Sequence, residues 1–178
     1  NTGDNQGEVT EEVSLPPNLH QDWDLEKINK KLTEVFIDKE YWQVPPQFSA
    51  TKHQGKALYK WAREGKVIVK DPVLRKIIKI EALEFKDAKL VFSATVSTGT
   101  YIRTLFEDIA KLLGTIGHLE ELKRTSVGNT TLEQSISSEF WDLEESEQVA
   151  YLINKGIQMD QFLAFPKITT SEYIAEKY

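Results

Sequence analysis

Arg103 stands in the first turn of a segment whose apolar spacing reads as a helix, where the helix macrodipole disfavours a cation. A guanidinium placed there needs an anionic partner. Its planar fork suits a carboxylate or phosphate bound through two parallel hydrogen bonds, which a lysine does not copy. Tyr101 lies two residues earlier. On an ideal helix its side chain would point about 200° away from Arg103. Both can face one pocket only if Tyr101 belongs to a strand-to-helix junction, which the Thr98-Gly99-Thr100 break permits. A second chemical signal is charge. Nine cations fall between Lys52 and Lys79 (Lys52, Lys56, Lys60, Arg63, Lys66, Lys70, Arg75, Lys76 and Lys79), against Glu64 and Asp71 alone. Tyr59 and Trp61 are interleaved with them, and Lys123-Arg124 forms a further basic pair. Such a surface can hold phosphates.

The net charge of −6 by itself argues against a nucleic-acid binder. Its distribution reverses that reading, because the acids gather in residues 4–40 and in Glu139–Glu147. Other chemistries lack support. There are no cysteines, and His20, His53 and His118 do not have metal-ligand spacing, so no metal is expected. Neither the glycine-rich nucleotide-binding motifs nor the G-x-S-x-G elbow of serine hydrolases occurs. At 178 residues, 40% hydrophobic and 28% charged, the chain suits one domain or most of a larger one, and cytoplasm is the default compartment.

The elements that must position Arg103 are legible around it. Leu90, Phe92, Ala94 and Val96 alternate with Val91, Ser93, Thr95 and Ser97, as in a half-buried strand. After the break, Ile102, Leu105, Phe106, Ile109, Leu112 and Leu113 form one apolar helical stripe that Gly114 ends. Upstream, a loop and a short strand Glu8–Ser14 lead to a Pro16-Pro17 linker. Asp24 caps a predicted helix Leu25–Phe36 whose stripe is Leu25, Ile28, Leu32 and Val35-Phe36. Tyr41–Val44 and Phe48–Lys52 read as extended pieces separated by Pro45-Pro46. A short helix from Gly55 to about Arg63 follows, then strands at Val67–Val69 and Val73–Phe85. Downstream, the pattern predicts a strand His118–Val127, a turn at Gly128-Asn129, a capping box Thr131-x-x-Gln134, and a helix over 138–155 ended by Gly156. Pro166–Thr170 reads as another strand.

The segment STGTYIRTLFEDIA followed by GHLEELKRTSVG resembles the third motif region of the TruB family of tRNA pseudouridine synthases. Gln43-Val44-Pro45-Pro46-Gln47-Phe48-Ser49-Ala50-Thr51-Lys52, with Gly55-Lys56, Leu58-Tyr59 and Ala62-Arg63, resembles a second. Asn1-Thr2-Gly3-Asp4 and Gly7-Glu8-Val9 resemble the segment that follows that family's catalytic loop. The resemblance runs in order from residue 1 to about 136 and thins beyond. It implies an α+β fold, with a mixed, mainly antiparallel sheet flanked by helices and a thumb insertion at about 43–80. Residues 1–160 would be the central and C-terminal part of the catalytic domain, and 161–178 the start of a PUA-like RNA-binding module.

The same resemblance implies isomerisation of uridine to pseudouridine at position 55 in the T loop of tRNA, without cofactor or metal. Arg103 would pair with the attacking aspartate, Tyr101 and Leu122 would line the base pocket, and Lys123-Arg124 would lie near the RNA backbone. Lys52, Lys56, Lys60 and Arg63 would belong to a thumb gripping the T-arm stem-loop. The family's aspartate lies in a G-T-L-D-P-x-A-T-G motif, which does not occur among these 178 residues. That motif and the family's base-stacking tyrosine are expected to precede Asn1, so the chain alone is expected to be inactive and the full-length protein a monomer. Rival readings are a non-catalytic RNA-binding or RNA-folding module, a guide-RNA-dependent relative, and an unrelated α+β scaffold.

Overall fold

The computed structural model describes residues 3, 4, 7, 9 and 11–156. The chain divides into two units, Asn1–Glu121 and Leu122–Tyr178.

In the first unit, α1 (Leu19–Asp22) leads into α2 (Leu25–Phe36). Asp24 caps α2 as predicted, its carboxylate accepting the Lys27 N–H at 2.8 Å. β1 (Tyr41–Gln43) follows, then a tight hairpin of β2 (Lys52–His53) and β3 (Lys56–Ala57), and α3 (Leu58–Arg63). β4 (Val73–Arg75) pairs with β1. β5 (Ile77–Lys86) and β6 (Lys89–Val96) form the long antiparallel hairpin, and α4 (Ile102–Leu112) closes the unit. Buried Ile28, Leu32 and Phe36 of α2 meet Ile77, Ile80 and Ala82 of β5 and Leu105 and Ile109 of α4 in one core. Phe92 stacks on Phe106 with centroids 5.8 Å apart, joining β6 to α4.

β6 keeps the strict alternation expected of it: Leu90, Phe92, Ala94 and Val96 are half-buried, while Val91, Ser93 and Thr95 are exposed. β5 does not. Register shifts at Ile77/Lys79 and Ala82/Glu84 let Ile77, Ile80 and Ala82 all face the core, leaving Ile78 and Leu83 more than half exposed. The Ala82 shift is held by Asn29 of α2, whose side-chain amide donates to the Ala82 carbonyl at 3.0 Å and accepts its N–H at 2.8 Å.

The architecture is α+β and mainly antiparallel, as expected. Parallel bridges Asp4–Leu119 and Ile37–Ile77 supply the mixed pairing. Several local expectations fail. No strand forms among the described residues of 8–14, where Val9 and Val13 are exposed. Val67 and Val69 are exposed in an extended loop instead of a strand, because the Gln47 amide takes both backbone groups of Ile68. Of the extended pieces, only Tyr41–Gln43 and Lys52–His53 pair. The helix predicted from Gly55 begins at Leu58, since Lys56-Ala57 turn back on β2.

In the second unit, the strand predicted over His118–Val127 shrinks to β7 (Ser126–Val127); ahead of it, the only β-bridge of this stretch among the described residues is that of Leu119 to Asp4. β7 pairs with β8 (Thr130–Thr131) around the Gly128-Asn129 turn. Thr131 and Gln134 form the predicted capping box, on a single 3-10 turn. The helix predicted over 138–155 splits into a 3-10 segment Ser138–Asp142 and α5 (Glu145–Lys155). A new capping box of Glu144 and Glu147 restarts the helix after Leu143. The predicted strand Pro166–Thr170 and the segment 161–178 lie outside the described residues.

Candidate active site

The turn between β6 and α4 sets the geometry. Ser97 carries it: its N–H donates to the Lys76 carbonyl, and its carbonyl accepts the Thr100 hydroxyl at 2.8 Å. Gly99 sits at φ +80, a conformation in which other residues are strained, and a Cβ there would lie 3.2 Å from the Arg75 guanidinium. Tyr101 then takes an extended backbone (φ −90, ψ 109) as the residue ahead of α4, and its carbonyl accepts the Leu105 N–H that closes the first turn. Tyr101 is thus at the strand-to-helix junction that the sequence required if it and Arg103 were to share a pocket.

Four positions outside α4 hold these two residues. Gln43 is 2% exposed; its side-chain carbonyl accepts the Tyr101 N–H at 2.7 Å and its NH2 donates to the Tyr101 carbonyl at 3.0 Å. The Tyr101 hydroxyl lies 2.8 Å from the Thr51 hydroxyl. Arg103 donates from one guanidinium nitrogen to the Asp4 carboxylate at 3.0 Å and from the other to the Phe48 carbonyl at 2.8 Å. Asp4 is itself placed by the bridge to Leu119, whose N–H donates to the Gly3 carbonyl. Gly3 permits the approach, because a Cβ there would fall 2.6 Å from a Glu107 carboxylate oxygen. Arg103 and Asp4 are each about three-quarters buried, so their attraction is screened less than that of a surface pair.

Behind this layer runs a second set of polar contacts. The Gln43 NH2 also donates to the Tyr41 hydroxyl at 3.0 Å, which in turn donates to Asp108 at 2.8 Å, and Asp108 accepts from Lys111. Burial, aided by the Asp108 carboxylate, pushes the Tyr41 phenol well above its ordinary value and keeps it a donor. The Tyr41 ring is buried against Phe36, so it cannot stack on a base from there. Glu107 is pushed up chiefly by burial and secondarily by Asp108, with Lys111 and Arg103 opposing.

The basic segment is organised around aromatic rings. The Lys56 and Lys66 ammonium groups lie 4.3 and 5.2 Å from the Trp61 ring centre, Arg63 lies over Tyr59, and Lys56 also pairs with Glu64. Lys52 and Lys60 are exposed. Leu122, Lys123 and Arg124 open the second unit and are exposed there. Sequence reasoning singled out Tyr101 and Arg103, and both bond to the segment 43–51, Tyr101 through Gln43 and Thr51 and Arg103 through the Phe48 carbonyl. It gave no individual role to Asp4, Gln43 or Thr51. All three lie inside the segments that carry the family resemblance, but their pairing spans 50 to 99 residues and has no local signature. No group of His, Cys, Asp and Glu suited to a metal ion occurs among the described residues.

An α+β unit that holds a part-buried helix-start arginine against a carboxylate, with a tyrosine clamped two residues away and a basic segment in the same unit, fits a protein that handles polyanions. Comparison with known proteins narrows this class. Residues 1–102 match the TruB family pseudouridylate synthase N-terminal domain, and residues 103–163 match the tRNA pseudouridylate synthase B C-terminal domain. The chain belongs to the TruB family of pseudouridine synthases. Similar curated proteins include tRNA pseudouridine synthase B of Neisseria gonorrhoeae (strain NCCP11945), 42% identical over 132 residues, which are 74% of this chain and 42% of that protein. The protein of that name from Thermotoga petrophila is 39% identical over 133 residues, 74% of this chain and 43% of its own length. That from Hydrogenovibrio crunogenus is 35% identical over 154 residues, 85% and 46% respectively. The chain therefore spans less than half the length of these relatives.

Proposed function

We propose that the protein containing this chain is a tRNA pseudouridine synthase that isomerises uridine to pseudouridine at position 55 of the T loop. The observation that carries this reading is Arg103, buried at the start of α4 between Asp4 and the Phe48 carbonyl and two residues from a clamped Tyr101, in a chain of this family. Arg103 orients the attacking aspartate, which lies in a motif not found among these residues. The aspartate attacks, the glycosidic bond to N1 breaks, the base rejoins the ribose through C5 as the aspartate is released, and the proton lost from C5 is balanced by one gained at N1. Substrate and product are isomers, so no electrons enter or leave and the scheme has no step for a redox cofactor.

Tyr101 and Leu122 face the flipped base, where an apolar wall replaces the stacking lost on extrusion. Lys52, Lys56, Lys60, Arg63, Lys123 and Arg124 contact T-arm phosphates, which position the RNA without reading its sequence. The segment 43–80 serves as the thumb, residues 1–160 belong to the catalytic domain, and 161–178 open a PUA-like module. The complete protein acts as a cytoplasmic monomer, and the chain alone is inactive. No helix among the described residues is long and apolar enough to cross a membrane.

The test is Arg103→Lys in the complete open reading frame. Lysine keeps the charge but cannot bridge Asp4 and the Phe48 carbonyl together. Turnover of a T-arm stem-loop should fall by at least about 100-fold, the scale for an oriented catalytic group, with salt-dependent RNA affinity retained. Unchanged turnover would remove Arg103 from the mechanism. RNA binding without turnover in the unsubstituted protein would instead favour a binding module.

A further inference from the structure

We infer that Gln43 and Thr51 are positioning residues that fix Tyr101 at three atoms and thereby set the geometry of the pocket for the base; the inference rests on the function proposed above. A buried amide needs a reason, because each unpaired polar atom there costs free energy. Gln43 uses its carbonyl once and its NH2 twice, all on Tyr101 and Tyr41. Tyr101 precedes α4, so no helical carbonyl is available to its N–H, and no side chain caps the helix. Gln43 supplies the missing partner and, by holding N–H and carbonyl at once, holds the extended backbone that turns the ring away from the helical path. Thr51 then fixes the far end of the ring through its hydroxyl.

The residues between them complete the device. Pro45-Pro46 restricts the intervening backbone, and the Phe48 carbonyl in the same segment receives Arg103. One stretch of nine positions, 43–51, therefore registers both candidate active-site residues against each other. Asn29 grips Ala82 and Gln47 grips Ile68 in the same two-handed way, but those target residues lie outside the candidate site. Gln43 alone among these three amides acts on a candidate site residue.

The test uses the complete open reading frame with a T-arm stem-loop. Gln43→Glu keeps an acceptor for the Tyr101 N–H but, when ionised, loses both donated bonds and sets a charge against the Tyr101 carbonyl. Its kcat should be at least about tenfold below the parent near pH 8 and should recover as pH falls and the buried carboxyl regains a donor proton. KM for RNA should stay within about twofold, because the phosphate contacts are untouched. The titratable groups bonded in series with position 43 are Tyr41, Asp108 and Lys111. Thr51→Val should lower kcat by about fivefold, Thr51→Ser should restore it, and Thr51→Val should add nothing in a Tyr101→Phe background. If Gln43→Glu does not fold, the Thr51 cycle decides alone. Parent-like kcat in Gln43→Glu and Thr51→Val, in an enzyme that Arg103→Lys silences, overturns the inference and leaves the proposed function standing. A loss in Gln43→Glu that is equal at every pH and appears in KM also overturns it. An unsubstituted protein that binds RNA without turnover overturns the proposed function and this inference with it.

Discussion

Replacing Asn29 by alanine tests whether the β5 register shift is specified from α2. Asn29 is half-buried and spends its amide on both backbone groups of Ala82, a residue only 3% exposed, at 3.0 and 2.8 Å. Truncation removes two hydrogen bonds to Ala82, each with a net worth of about 1 kcal/mol, together with an exposed bond to the Leu25 carbonyl within α2, and leaves a donor and an acceptor on Ala82 that water must reach at some further cost. The half-buried setting allows partial rehydration, so the expected loss is about 2–3 kcal/mol rather than the upper limit for two orphaned groups. For a chain of this size that corresponds to a fall in Tm of roughly 5–10 °C. Urea denaturation followed by tryptophan fluorescence measures the loss, and amide exchange at Ala82 localises it. A loss below about 0.5 kcal/mol, with Ala82 still protected, would show that the strand pairing alone fixes the shift and that the Asn29 clamp is incidental.

Two further changes probe the site's surroundings. Glu107→Gln should stabilise the protein at neutral pH. Burial raises the folded-state pKa of Glu107 above its ordinary value of 4.5, so the native state binds more protons and stability declines as pH climbs through that window. The variant's advantage in Tm should therefore be present at pH 7 and disappear below the ordinary value; an advantage that persists in acid would contradict the assignment. Gly99→Ala, which forces a side chain into a left-handed backbone and against Arg75, should cost about 1–2 kcal/mol in denaturant unfolding. A neutral outcome would mean that the Ser97–Thr100 turn can relax.

α2, α4 and the second strand of the long hairpin were legible because each carries its own period. Asp24 announces α2, and Leu90 to Val96 alternate without interruption. β5 misleads for a physical reason: two bulges reset its alternation, so Ile78 and Leu83 look as inward as Ile80 until the register is seen. Val67–Val69 has strand-like residues but, among the described residues, no strand pairs with it, and the Gln47 amide satisfies its middle residue instead. At the site, Arg103 announced itself through an unfavourable charge at a helix start. The identity of its carboxylate did not, since Asp4 is 99 residues away and reaches Arg103 from a chain segment that passes close to Glu107 at Gly3. Gln43 and Thr51 were equally silent; an amide and a hydroxyl become positioning groups only once folding places Tyr101 against them.

The most direct measurement is position-resolved detection of pseudouridine in a T-arm stem-loop incubated with the complete open reading frame and, separately, with these 178 residues. The account predicts pseudouridine at position 55 with the complete protein and none with the chain alone. Modification by the chain alone would place the nucleophile among its own acids, and no modification by the complete protein would contradict the proposed activity itself.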